Sequence, residues 1–97
     1  MIPVKKIEII VDELAVPKVL KLLEDAGVSG YTVIKDATGK GERGLRDGDE
    51  LTGVFANSYV VTACPSESVS LIVESVRPIL KKHGGVCLVS EAHWLIH

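Results

Sequence analysis

Along this chain the spacing of apolar residues alternates between two periods, and the switches mark the elements. Residues 4–11 (VKKIEIIV) are β-branched with partial alternation and predict a strand. Asp12 or Glu13 then offers an N-cap carboxylate, and Pro17 falls in the first turn, where a missing N–H does little harm. Val16, Val19, Leu20, Leu22, Leu23 and Ala26 recur at helical spacing until Gly27 closes the helix. Residues 31–34 (YTVI) predict a second strand and residues 55–64 (FANSYVVTAC) a third. Pro65 and Ser66 open a second helix, with Val69, Ile72, Val73, Val76, Ile79 and Leu80 on one stripe. Pro78 removes one backbone bond inside it and should bend it. Lys81, Lys82 and His83 place positive charge at the negative helix end, and Gly84 terminates it. Residues 86–96 (VCLVSEAHWLI) predict a last strand.

The order β-α-β, long connection, β-α-β implies two equivalent halves: the strands open at Val4 and Phe55, the helices near Glu13 and Ser66. Two right-handed βαβ units merged into one four-stranded antiparallel sheet give an α+β, ferredoxin-like βαββαβ sandwich with both helices on one face. The other sheet face is then bare, and strands this apolar predict self-association, although the pattern does not fix its symmetry. At 97 residues and 46% hydrophobic content the chain suits a single domain, residues 1–97. A net charge of -2 argues against a nucleic-acid binder. There is no apolar run of membrane-spanning length and no secretory pattern in residues 1–6, so a cytoplasmic protein is expected. Cys64 and Cys87 lack paired spacing and sit in apolar runs, which predicts buried thiols.

Residues 37–54 (ATGKGERGLRDGDELTGV) break the pattern, and a connection of that length in so small a domain points to function. Gly39, Gly41 and Gly44 formally match G-x-G-x-x-G, but no helix follows to face a pyrophosphate, so the dinucleotide fingerprint fails. The Walker pattern fails as well, because Lys40 is followed by Gly41. What remains is a glycine-rich segment whose N–H groups can approach an anion closely, with Lys40, Arg43 and Arg46 to neutralise phosphates. A solvated, mixed-charge loop is the plain alternative. Gly30 and the pair Gly84-Gly85, each ahead of a strand, read by themselves as ordinary turn residues.

Lys5-Lys6-Ile7-Glu8 and Gly27-Val28-Ser29-Gly30-Tyr31-Thr32-Val33 resemble, in residues and spacing, the opening half of PII signalling proteins. The run from Gly30 through Gly39-Lys40-Gly41-x-Arg43-x-x-Arg46 is closer still to the PII-like proteins of bacterial inorganic-carbon uptake, the bicarbonate-transporter-associated and carboxysome-associated branches. Residues 85–92 (GVCLVSEA) resemble that branch's last strand. The resemblance implies a homotrimer without catalytic activity, binding an adenine nucleotide between subunits: AMP or ADP, with ATP a further candidate. The long loop (the T-loop, about residues 37–54) would engage a membrane-transporter or carboxysome-related partner.

By matched position, Gly30 and Thr32 would line the nucleotide cleft, with Gly39, Lys40, Gly41, Arg43 and Arg46 at the phosphates. Gly84, Gly85 and Val86 would form the turn closing on the nucleotide, and Val61 and Thr62 would offer backbone groups to the adenine edge. The departures matter too. The loop is short and lacks a tyrosine, which argues against uridylylation there, and Val86 stands where the family usually has lysine. Leu95-Ile96-His97 carries no counterpart of the family's paired arginines. Fewer phosphate contacts imply a preference for AMP or ADP over ATP, the missing parts argue against 2-oxoglutarate sensing, and the branch resemblance implies bicarbonate, bound near the loop base, as second ligand.

Two rival functions stand against this one. The first is a slow nucleotide hydrolase in which Glu42, Asp47 or Asp49 holds Mg²⁺. The second is a trimeric metal-tolerance protein using Cys64, Cys87, His83, His93 or His97, although on a strand His93 and His97 lie ~13 Å apart, too far for one ion. Tyr31, Tyr59 and Trp94 read as core or interface residues before base-stacking ones.

Overall fold

The computed structural model describes residues 1–39 and 57–97. Its elements run β1 (Ile2–Asp12), α1 (Val16–Asp25), β2 (Tyr31–Ala37), β3 (Asn57–Cys64), α2 (Val69–His83) and β4 (Val86–Trp94), with 3-10 turns at Glu13–Ala15 and Ser66–Ser68 leading into the helices. All pairings are antiparallel in the order β2-β3-β1-β4, so β1 is central and is paired on both sides. This is the βαββαβ arrangement expected from the periodicity.

Local chemistry sets the boundaries. The Asp12 carboxylate accepts from the Leu14 N–H at 2.9 Å, so of the two cap candidates it is Asp12 that caps, and the cap falls on the 3-10 turn leading into α1, whose own N-cap is Ala15. Helix α1 ends on Gly27 at φ +79°, and the Gly27 and Val28 N–H groups donate to the Glu24 and Leu23 carbonyls at 3.0 and 3.2 Å. That pairing satisfies two carbonyls the last helical turn leaves open. Helix α2 runs without interruption through Pro78, which gives up only the one bond its ring nitrogen cannot donate. Three strands differ in extent from expectation, β1 by running Ile2–Asp12 rather than 4–11. β2 continues to Ala37 through a register shift between Ile34 and Ala37, with Asp36 at φ +59°. A bulge of this kind bends a strand, and Asp tolerates the left-handed conformation better than most residues. β4 stops at Trp94, leaving residues 95–97 outside the ladder.

Strand alternation then sorts the side chains. Ile7, Ile9 and Val11 of β1 and Ser58, Val60, Thr62 and Cys64 of β3 face the helices, where they are buried with Ala15, Val19, Leu23, Ile72 and Val76. The even positions of β1 and the odd positions of β3 lie on the opposite face. There Ile34, Leu88 and Trp94 remain 53%, 51% and 49% exposed, beside Ile2 and Val86. This is the bare apolar face the pattern predicts. Cys64 is buried and Cys87 half-buried, both as free thiols, and desolvation pushes both upward from the ordinary thiol pKa.

The tightest backbone position is Gly85. Its φ of +124° lies where L side chains rarely go, and a Cβ there would sit 2.4 Å from the Ile10 carbonyl oxygen and 3.1 Å from Leu80 Cδ2 and Val11 Cγ1. Gly85→Ala must therefore strain the backbone and push against β1 together, effects of about 1–2 and about 1–3 kcal/mol. A thermal melt should show Gly85→Ala destabilised by at least about 2 kcal/mol, whereas Gly30→Ala, with open space around it, should melt within a degree or two of the parent.

Candidate functional site

The residues singled out from sequence fall into two groups at opposite ends of the sheet. At one end β2 departs into residues 37–39, β3 begins at Asn57, and Val86 opens β4 opposite Ile10. Gly39, Gly84, Gly85 and Val86 belong to this end. Here the α2 helix terminates: the Gly84 N–H donates to the Leu80 carbonyl at 2.8 Å, and Gly84 at φ +76° and Gly85 turn the chain into the edge strand. Only glycines make this turn, because both positions have positive φ and the second lies against β1.

The second group, Gly30, Thr32, Val61 and Thr62, lies at the far end, on the β2 edge. Thr32 is opposite Val61 and Tyr31 opposite Thr62. The buried Thr62 hydroxyl donates to the Gly30 carbonyl at 2.6 Å, which fixes the turn ahead of β2 to the neighbouring strand. The Tyr31 hydroxyl adds a second tie by donating to Glu24 of α1 at 3.1 Å, and that bond holds the phenol above its ordinary pKa. Thr62 thus points its side chain toward the helices, while Thr32 and Val61 lie on the open face.

The five-residue step from Thr62 back to Asn57 corresponds to about 17 Å along the strand, and the β2 and β4 edges are three strand spacings, about 14 Å, apart. One chain therefore does not gather all the expected residues around one point. Lys40, Gly41, Arg43 and Arg46, with the carboxylates Glu42, Asp47 and Asp49, lie outside the described residues. Among the described residues, no three His, Cys, Asp or Glu side chains come together as a metal site. Nor is any helix there long and apolar enough to cross a membrane.

Sequence reasoning missed two features. A concavity of about 290 Å³ opens at the base of the loop, lined by Ile10, Ile34, Ala37, Thr38, Gly39, Asn57 and Tyr59. Its residues come from three strands and from the two residues that follow β2, and the sheet register brings the strands together. The second is Glu8, which accepts a hydrogen bond from the Tyr59 hydroxyl on the open face. The bond raises the Tyr59 pKa above its ordinary value. The alternation of Glu8 with Ile10 and of Tyr59 with Val61 carried that signal, since it puts all four on one face.

With this geometry in place, comparison with known proteins is specific. The family model of the nitrogen regulatory protein P-II matches residues 4–95. No curated protein sequence matches the chain. Among solved structures, CPII from Thiomonas intermedia K12 bound to ADP, AMP and acetate superposes with a TM-score of 0.83 at 30% identity, covering 98% of this chain and 91% of that one. The same protein bound to ADP and bicarbonate gives 0.80 at 33% identity, covering 95% and 88%. A PII-like signalling protein of Thermus thermophilus shares the fold at 22% identity, with a TM-score of 0.73 over 94% of this chain and 88% of that one. The matched span reaches every strand and both helices, and this chain belongs to the nitrogen regulatory protein P-II family.

Proposed function

We propose that this chain is a PII-like regulatory protein that binds AMP or ADP, with ATP a weaker ligand, in clefts between the subunits of a homotrimer. The observation that carries the reading is the likeness, over 95% or more of the chain at 30–33% identity, to a PII-like protein bound to ADP, AMP and bicarbonate. The division of the expected residues between two ends of the sheet supports it. A nucleotide touching the Gly84-Gly85 turn and loop base of one subunit would meet Gly30 and Thr32 only on another. Such a head-to-tail contact uses two different patches of each chain, and repeated by rotation it closes into a ring. A trimer is the closure known for the family.

In this reading the glycine turn closes on the nucleotide, and Lys40, Arg43 and Arg46 supply charge to its phosphates. Thr62 holds the Gly30 turn at the height the ligand requires. The T-loop, residues 37–54, is the output. Charge-assisted phosphate bonds of ~1.5–3 kcal/mol each are set against an ordering cost of ~1–2 kcal/mol per loop residue. Each bond thus offsets the ordering of about one to three loop residues, so a ligand contacting only one loop conformation shifts its population and with it the affinity for a partner. Bicarbonate as the second ligand, and a transporter or carboxysome-related protein as the partner, place the signal in inorganic-carbon metabolism.

Calorimetric titration with AMP, ADP and ATP, each with and without bicarbonate, tests this directly. The expected result is saturable binding at one site per chain, tighter for AMP and ADP than for ATP, and sensitive to bicarbonate. Absence of heat with all three nucleotides would remove the proposal, and equal affinities would remove the preference. In the same assay Thr62→Val, which leaves the Gly30 carbonyl without its donor, should weaken nucleotide binding about threefold to tenfold.

A further inference from the structure

The sheet face turned away from the helices carries a polar cluster inside an apolar frame. Glu8 on β1 lies opposite Val61 and Leu88, and Tyr59 on β3 lies opposite Ile10 and Ile34. The Tyr59 hydroxyl donates diagonally across the two strands to Glu8 Oε2, and Lys6 Nζ stands 3.8 Å from Oε1. Even in the single chain the Glu8 side chain is only 21% exposed. At 3.8 Å the Lys6 contact is too long for a hydrogen bond, so the ammonium keeps donor capacity for an acceptor arriving from outside.

Packing this apolar face against other copies within the trimer proposed above would take the Glu8 carboxylate out of water. A buried carboxylate is tolerated only when it is paired and hydrogen-bonded, and before any copy arrives Tyr59 supplies a donor and Lys6 a nearby positive charge. The aliphatic residues around the cluster attract without direction, so alone they would let one sheet slide over another at little cost. A fixed carboxylate with its donors is directional. We propose that the Glu8–Tyr59–Lys6 cluster is the specificity determinant of the contact between copies of this chain, fixing how many copies pack on this face and in what register. Its occupants are the same sheet faces of the neighbouring subunits. The cluster contributes little to how tightly they hold, since buried ionic groups roughly balance their own desolvation, whereas stripping away one partner is costly.

Sedimentation and native mass spectrometry over a range of protein concentrations, on the parent, Tyr59→Phe and the double variant Glu8→Leu with Tyr59→Phe, test the proposal. The parent should be a single trimeric species. Tyr59→Phe, which leaves Glu8 covered without its donor, should raise the concentration at which the trimer half-dissociates by about tenfold or more. The double variant should associate at least as tightly as the parent but spread over more than one size. A Tyr59→Phe protein that dissociates like the parent, or a double variant that remains one homogeneous trimer, overturns the assignment. A monomeric parent overturns the interface itself, and with it the assembly on which this inference rests. Should the double variant fail to fold by circular dichroism, the Tyr59→Phe comparison decides alone.

Discussion

Everything in this molecule depends on β1 being a central strand with a strict two-residue alternation. It pairs with β3 over Lys5–Asp12 and with β4 over Ile2–Ile10, so its backbone groups are committed on both sides and its register is locked. Ile7, Ile9 and Val11 then have to enter the core, and Lys6, Glu8 and Ile10 have to face the other way. A slip by one residue would exchange the two sets, burying two charges among the helices. The same alternation brings Ile10 beside Val86 and Tyr59, which builds the loop-base concavity, and it holds the Ile10 carbonyl against Gly85. Core, turn and outer face are three consequences of one strand's phase.

The elements were legible because each is reported by local chemistry. Helical periodicity broken by Gly27 and by Gly84, with Asp12 and Pro17 at one helix start and Pro65 at the other, leaves little freedom in where the helices go. The bare apolar face was legible for the same reason: alternation that leaves Ile34 and Leu88 without a helix to cover them is visible in the string. Strand ends were less so. The extension of β2 to Ala37 rests on a bulge and on Asp36 in the left-handed region, and no residue type announces that. β4 stops at Trp94, opposite Ile2, although the apolar run continues to Ile96, and the string does not mark that end.

The candidate site was legible as a list and not as a place. Gly30, Thr32 and the Gly84-Gly85 pair could be named from their resemblance to a family pattern, but spacing along a chain does not say which end of a sheet a residue occupies. Register supplies that, and it separates the list into halves by distances no side chain bridges. The Thr62 hydroxyl illustrates the limit. Sequence placed it near the adenine edge through its backbone, and the structure gives its side chain a further task, holding the Gly30 turn from within the core. A threonine in a strand is too common a residue to signal that.

A site divided in this way constrains how a signal can travel. Each half is anchored to a rigid part of its own chain: the Gly84-Gly85 turn presses on β1, and the Gly30 turn is tied to β3 and α1. In the proposed function, a ligand joining two halves from different subunits would therefore be sensitive to the alignment of one sheet relative to the next. Glu8, one of the three residues proposed to set that alignment, lies two positions before Ile10, on the strand that also supports the turn. On these proposals, recognition between subunits and recognition of ligand share β1, and a change in either would be felt by the other through a strand too tightly packed to absorb it.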